Sequence, residues 1–211
     1  MSADPGTPGD LGAATPGRPP TEFDFPVSFT GPDGIGASPY DEYGEEERPD
    51  VCDDGQDPAV ALRRTLGMFA TGVTVITTLK GEQVHGMTAN AFMSVSLEPP
   101  LVLISVDRRT KMCGLLHEGM HYGVSVLCAT QAALSDRFAG RQGEDLPDPR
   151  FELVRETPLV DGALAHFVAR VEKSYWGGDH SLFLGRVEYA RQNPGTPLLF
   201  HGGRYEKLGQ A

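Results

Sequence analysis

The chain has 211 residues, with 29 Asp and Glu against 18 Lys and Arg and a formal net charge of −11 at pH 7. The acid is concentrated in residues 1–57, where 14 acidic residues stand against Arg18 and Arg48 alone, so residues 58–211 keep a net charge of +1. A nearly neutral folded part has no electrostatic footprint for nucleic acid or an anionic membrane surface, which argues against both as partners.

Residues 1–57 also hold nine Pro and nine Gly with few apolar residues, a composition that predicts a disordered acidic extension. Its segment "DEYGEEERPD" (41–50), with Tyr40 and Tyr43, is the one stretch suited to a partner. No apolar h-region follows Met1, and the longest apolar run, "LVLISV", is far short of a membrane span. Cys52, Cys113 and Cys128 lack C-x-x-C spacing, which points to reduced thiols and a cytoplasmic location rather than a disulfide framework or zinc site.

An ordered domain is expected over 58–211. Asp57 suits a helix cap, Pro58 a first turn, and Leu62, Leu66 and Phe69 recur at helical spacing up to Gly72, which predicts one amphipathic helix. "VTVITTL" (73–79) is rich in β-branched residues and breaks at Lys80-Gly81, so the following stretch returns as a hairpin. In that stretch, "HGMTANAFMSVSLEPP" (85–100), Thr88, Asn90, Ser94 and Ser96 share one parity and Met87, Ala89, Ala91, Met93, Val95 and Leu97 the other. In an extended chain this makes one small polar face. Such a face suits solvent, but the shortness of every side chain on it also leaves room for a flat ligand.

"LVLISV" (101–106) reads as a buried strand ending at Asp107. Arg108, Arg109 and Lys111 then surround Thr110 where a helix should begin, an arrangement equally suited to a phosphate and to an ordinary charged turn. "HEGMH" (117–121) matches the zincin pattern H-E-x-x-H, but Gly119 inside it and a strand starting at Tyr122 leave no helix to carry both histidines, so no metal site is expected. A strand (122–129) and a helix (130–140) precede a polar loop to Pro149. Strands at 163–176 and 180–192 flank the tight turn Gly177-Gly178-Asp179, and "PLLFHGGRYEKL" closes the domain. His180 opens the second of these strands, either as a structural residue or as a donor to a ligand. Six or seven strands joined mostly by hairpins, with two or three helices, predict a mainly β antiparallel barrel with helical insertions rather than a doubly wound parallel sheet.

Five segments in order, "FATGVTVITT" (69–78), "GMTANAFMSVSLEPPLVLISV" (86–106), "YGVSVL" (122–127), "GDHSLFLGRV" (178–187) and "PLLFHGGRYEKL" (197–208), resemble the flavin reductase family with the FMN-binding split-barrel fold. That family includes the reductase components of two-component flavin monooxygenases. The resemblance spans about residues 58–208. It implies an antiparallel split barrel that moves a hydride from NADH or NADPH to FMN or FAD and supplies reduced flavin to a separate oxygenase, usually as a homodimer. By the same resemblance Thr88, Ala89, Asn90, Ser94 and Val95 would line the flavin ring and ribityl chain. Ser105, Thr110 and Lys111 would approach the phosphate, His180 would sit where flavin and nicotinamide meet, and Tyr205 would lie nearby. Ser125 and Ala91 stand where the family often has Asn and Ser. Two other readings are a non-catalytic flavin-binding module and an enzyme that keeps FMN bound and oxidises its own organic substrate. Since the cofactors carry the hydride chemistry, the protein needs mainly to hold two rings at reacting distance.

Overall fold

The computed structural model describes residues 57–141 and 146–209; the acidic extension expected over 1–57 lies outside them except for Asp57. In chain order the elements are α1 (Pro58–Leu66), β1 (Thr71–Gly72), β2 (Thr74–Lys80), β3 (Gln83–Ala89), β4 (Phe92–Leu97), β5 (Pro100–Asp107) and α2 (Lys111–Leu115). There follow β6 (His121–Val126), α3 (Ala132–Phe138), β7 (Phe151–Val154), β8 (Thr157–Val160), β9 (Ala165–Gly177), β10 (His180–Gln192), β11 (Leu199–His201) and β12 (Arg204–Glu206). Every strand pairing is antiparallel, as the hairpin-rich sequence predicts.

The principal sheet has seven strands in the order β3-β2-β6-β9-β10-β5-β4. Laid flat at about 4.8 Å per strand, it would hold its two edges roughly 29 Å apart. Only Asn90 and Ala91 separate β3 from β4, however, and three Cα steps reach roughly 11 Å at most. The sheet is therefore rolled, with its edges brought together but not paired to one another: a barrel with a split. The Ser105 amide, which donates to the Ala91 carbonyl at 3.1 Å, helps to pin the crossing.

Inside lies one apolar cluster of Ile76, Val102, Ile104, Val106, Met112, Tyr122, Val124, Val171 and Phe183 among others. The Tyr122 ring enters because position 185 is glycine: a Cβ there would sit 2.2 Å from the phenol oxygen. Burial pushes that phenol's pKa above its ordinary value by penalising the charged form. A second cluster (Val73, Val75, Leu127, Leu134, Val160, Leu198) lies between the sheet's other face, α3 and the small β1-β11-β12 sheet.

The structure differs from the sequence reading in three places. First, α1 stops at Leu66 with Gly67 as its cap, not at Gly72. Its apolar face is not buried, since Leu62 is 40% exposed and Leu66 64%, and Phe69, beyond its end, is 76% exposed; periodicity defines a face but not what covers it. Second, 85–100 is not one returning strand. It breaks at Asn90-Ala91 into β3 and β4, which stand at opposite ends of the sheet. An irregularity between Ser94 and Ser96 then interrupts the alternation, because a bulged residue shifts the parity of those after it. Third, β7 and β8 form a hairpin that the sequence reading left unassigned. Its turn is made by Arg155 and Glu156, both at positive φ (50° and 60°), where glycine or asparagine ordinarily signals such a turn.

Candidate functional site

As the terminal strand of the sheet, β3 bonds to β2 on one side only, and an edge strand directs alternate main-chain N–H and C=O groups away from the sheet. Along this edge, at the split, runs a cleft of about 500 Å³, within the range of small-molecule sites. Its floor is β3 and the crossing, residues His85 to Ala91; one end is formed by Ser105, Asp107, Thr110, Lys111 and His180, and the opposite wall by Phe138, Ala139 and Gly140.

Of the residues singled out from the sequence, the fold brings Thr88, Ala89, Asn90, Ser105, Thr110, Lys111 and His180 together around this one cleft. They come from β3, the crossing, β5, the start of α2 and the start of β10. Two pairings explain the convergence: β10 aligns Leu182 with Ser105 and His180 with Asp107, which sets the start of β10 beside the end of β5. Ser94, Val95 and Tyr205 do not line the cleft. Ser94 and Val95 lie on exposed edge strand β4. Tyr205, on β12, lies 2.8 Å from Ser135 Oγ and 2.9 Å from Asp136 Oδ1 through its hydroxyl, so it braces α3 from behind.

Two local arrangements fix the polar groups. The Thr110 hydroxyl donates to the Asp107 carbonyl at 2.7 Å and accepts from the Cys113 amide at 3.3 Å, so it caps a helix of only five residues. The charge at this end is thus carried by the Lys111 side chain. The Asp179 carboxylate has no proton to give, so His180 Nδ1 donates to Asp179 Oδ1 at 2.7 Å, leaving Nε2 as the ring nitrogen open to the cleft. Asp107 is held far below the usual carboxylate range, first by the side-chain hydrogen bond from Arg109 and then by the Arg109 amide. The ion pair measures 2.6 Å. Beside it the Arg108 guanidinium stacks 3.2 Å from the Trp176 ring centre.

The hydroxyl of Thr88 donates to the Ser135 carbonyl at 2.7 Å, tying β3 to α3, while its oxygen keeps acceptor capacity on the cleft. His85, Gly86, Asp107 and the Phe138-to-Gly140 wall also line the cleft and were not foreseen. Sequence offered a signal only for His85 and Gly86, which belong to the stretch already quoted; nothing in the pattern brings the end of α3 to β3. His85 has its pKa lowered by burial first, then by the charges of Lys111 and Lys80.

Ser125, one of the departures from the family pattern, is remote from the cleft's chemistry: fully buried, it accepts from the Val160 amide at 2.9 Å and joins β6 to β8. "HEGMH" is a turn leading into a strand. His117 follows α2, while His121 begins β6 and its Nε2 lies 3.0 Å from Glu188 Oε2. No cluster of three or more metal-binding side chains occurs among the described residues. None of their helices is long and apolar enough to cross a membrane.

The family model described as flavin reductase like domain matches residues 66–209. An NADH-dependent flavin reductase from a Rhodococcus species is 47% identical over 159 residues, covering 72% of this chain and 89% of that protein. The reductase component of a 4-hydroxyphenylacetate 3-monooxygenase from Thermus thermophilus is 40% identical over 149 residues, covering 70% and 95% respectively. Among solved structures, the flavin reductase PheA2 in its native state superposes with a TM-score of 0.69 at 43% identity, over 75% of this chain and all of that one.

Proposed function

The chain belongs to the flavin reductase like domain family and is an NAD(P)H-dependent flavin reductase, and from that premise we propose that the β3 cleft is where flavin and nicotinamide meet. It passes a hydride from the nicotinamide nucleotide to FMN or FAD and supplies reduced flavin to a separate oxygenase, as does a relative named as the reductase component of a monooxygenase. We take 58–211 as the reductase domain and 1–57 as its extension. Cytoplasmic placement is part of the same reading, supported by free thiols at Cys113 and Cys128.

One observation carries the assignment of the site: an unpaired strand edge, lined by the small residues Thr88 to Ala91, opens into a cleft ending at a lysine. A flavin presents a flat ring edged with hydrogen-bonding atoms and a chain ending in phosphate. The β3 edge offers main-chain donors and acceptors in a row, the short side chains let a ring approach, and Ser105, Thr110 and Lys111 stand where a phosphate would lie. The residues present therefore fit the group. When bound, flavin supplies the hydride acceptor and the reduced nicotinamide the donor.

The chain's own part is positional. Ala89, Asn90 and Ala91 line the cleft and would hold the flavin ring. His180, its Nδ1 spent on Asp179, lines the cleft and would use Nε2 to position the nicotinamide; Asp179 would act as a positioning residue through it. Asp107, the one carboxylate lining the cleft among the described residues, is committed to Arg109, and hydride transfer needs no base. Tyr205 contributes by stiffening α3.

We further propose a homodimer. The support is apolar surface left open on two elements: Leu62 and Leu66 on α1 with Met68 and Phe69 after it, and Met93, Val95 and Leu97 on β4. Loss of NADH or NADPH absorbance with purified protein, with and without FMN or FAD, tests the function. Flavin-dependent oxidation is the expected result; a yellow protein that leaves nicotinamide untouched would instead be a flavin-binding module.

A further inference from the structure

The wall formed by α3 is tied to its surroundings on several sides. The Phe138 ring lies on Gly86 so closely that a Cβ at 86 would fall 2.5 Å from its Cε1. It packs at 64° against Phe151, with ring centres 6.2 Å apart. Thr88 bonds α3 to β3 from one side, and Tyr205 reaches Ser135 and Asp136 from the other. Phe138 is the only phenyl ring on the cleft among the described residues, and it packs against Gly86 and Phe151.

The opposite face of β3 is basic. Lys80 pairs with Gln83, and strand residues two apart project alike, so Lys80, Gln83 and His85 share a side. That side also carries Met87 and Ala89, which pack against the cluster containing Met112 and Cys113 of α2; Lys111 is thus its neighbour. Neither Lys80 nor Lys111 makes an ion pair among the described residues. A fixed aromatic surface and unpaired cations on either side of one strand edge suit a ligand that has both a flat base and a diphosphate.

We infer that Phe138, seated on Gly86, is an adenine platform: it takes the adenine ring of an adenine dinucleotide, whose diphosphate lies toward Lys80 and Lys111. The inference rests on the reading of the cleft as the flavin site and extends it. Adenosine diphosphate groups occur in both FAD and NADH, and paired ligands lacking that group separate the two sources. Dissociation constants are measured for FAD and FMN, and KM for NADH and for reduced nicotinamide mononucleotide with FMN as acceptor, in the wild-type chain and in Phe138→Leu. Losing the ring should weaken either FAD or NADH by roughly fivefold to tenfold, the usual scale of base-on-aromatic stacking, while its adenine-free counterpart changes less than about twofold. Lys80→Gln, on a different element, should weaken the same adenine-bearing ligand more than it weakens FMN. Equal losses for FMN and reduced nicotinamide mononucleotide, or no loss for FAD and NADH in either variant, overturn the platform. A wild-type chain that binds neither FMN nor FAD overturns the reading beneath it.

Discussion

His180 and His85 lie on the same cleft and answer to different neighbours. His180 is tethered through Nδ1 to Asp179, so the role proposed for it is geometric. A displacement of even about 1 Å between reacting groups costs up to roughly two orders of magnitude in rate. His180→Ala should therefore slow anaerobic hydride transfer, followed by stopped-flow absorbance, roughly tenfold to a hundredfold, with flavin affinity changed far less; an unaltered rate removes the role. His85 is sensitive to pH because burial and then Lys111 and Lys80 lower its pKa below 6.5. The unfolded chain takes up that proton first, so the unliganded protein should lose stability as pH falls below 6.5, levelling off below the folded value. A phosphate beside His85 raises the pKa back, so binding draws in a proton and should strengthen as pH falls from about 8 to about 6. The ligand's own phosphate titrates near about pH 6 in the opposite sense. His85→Asn should therefore flatten or reverse the slope of FMN affinity against pH; an unchanged slope places the phosphate elsewhere.

At the level of elements, the cleft depends on hairpins that converge from distant parts of the chain. The β7–β8 hairpin is tied to the long β9–β10 pair by the fully buried His166. Its Nε2 donates to the Val160 carbonyl at 2.7 Å, and its Nδ1 accepts from Arg191 Nη2 at 3.1 Å, while Arg191 also pairs with Glu152 of β7. His166→Leu keeps the volume but leaves a buried carbonyl without a partner, a loss of about 2 kcal/mol. Urea unfolding should register it as a lower midpoint at unchanged slope. The elements were unequally legible. β9 and β10, separated by Gly178 and Asp179, could be read to within two residues because β-branched and aromatic runs flank a glycine turn. β7 and β8 could not, since Pro158 interrupts one and non-glycine residues make the turn.

For the whole molecule, the unanswered surface is the one outside the barrel. A nine-residue helix whose only buried residue is Ala61 is too short to be stable by its own hydrogen bonds, and its apolar side chains gain nothing while they face water. The proposed homodimer would resolve this by covering α1 with a second copy. Sedimentation equilibrium should find a dimer, and the double substitution Leu66→Ser with Phe69→Ser should shift it to monomer; a wild-type chain that stays monomeric at high concentration overturns the homodimer.

Composition and local pattern were enough to determine that the chain is mainly β, that its strands pair as hairpins, and that its acidic residues are concentrated in positions 1–57. These properties depend on side-chain alternation, turn residues and charge within a few positions. The five segments added the family, and with it seven residues that do meet at one cleft. What only the tertiary structure decided is which edges of the sheet stay open. Whether Thr88 to Ala91 face a ligand depends on β3 ending the sheet and on the two-residue crossing to β4, and whether Phe138 reaches Gly86 depends on how α3 packs. Those are contacts between residues some fifty positions apart, which no periodicity records, because a repeat fixes a direction along its own element and not the neighbour it will find there.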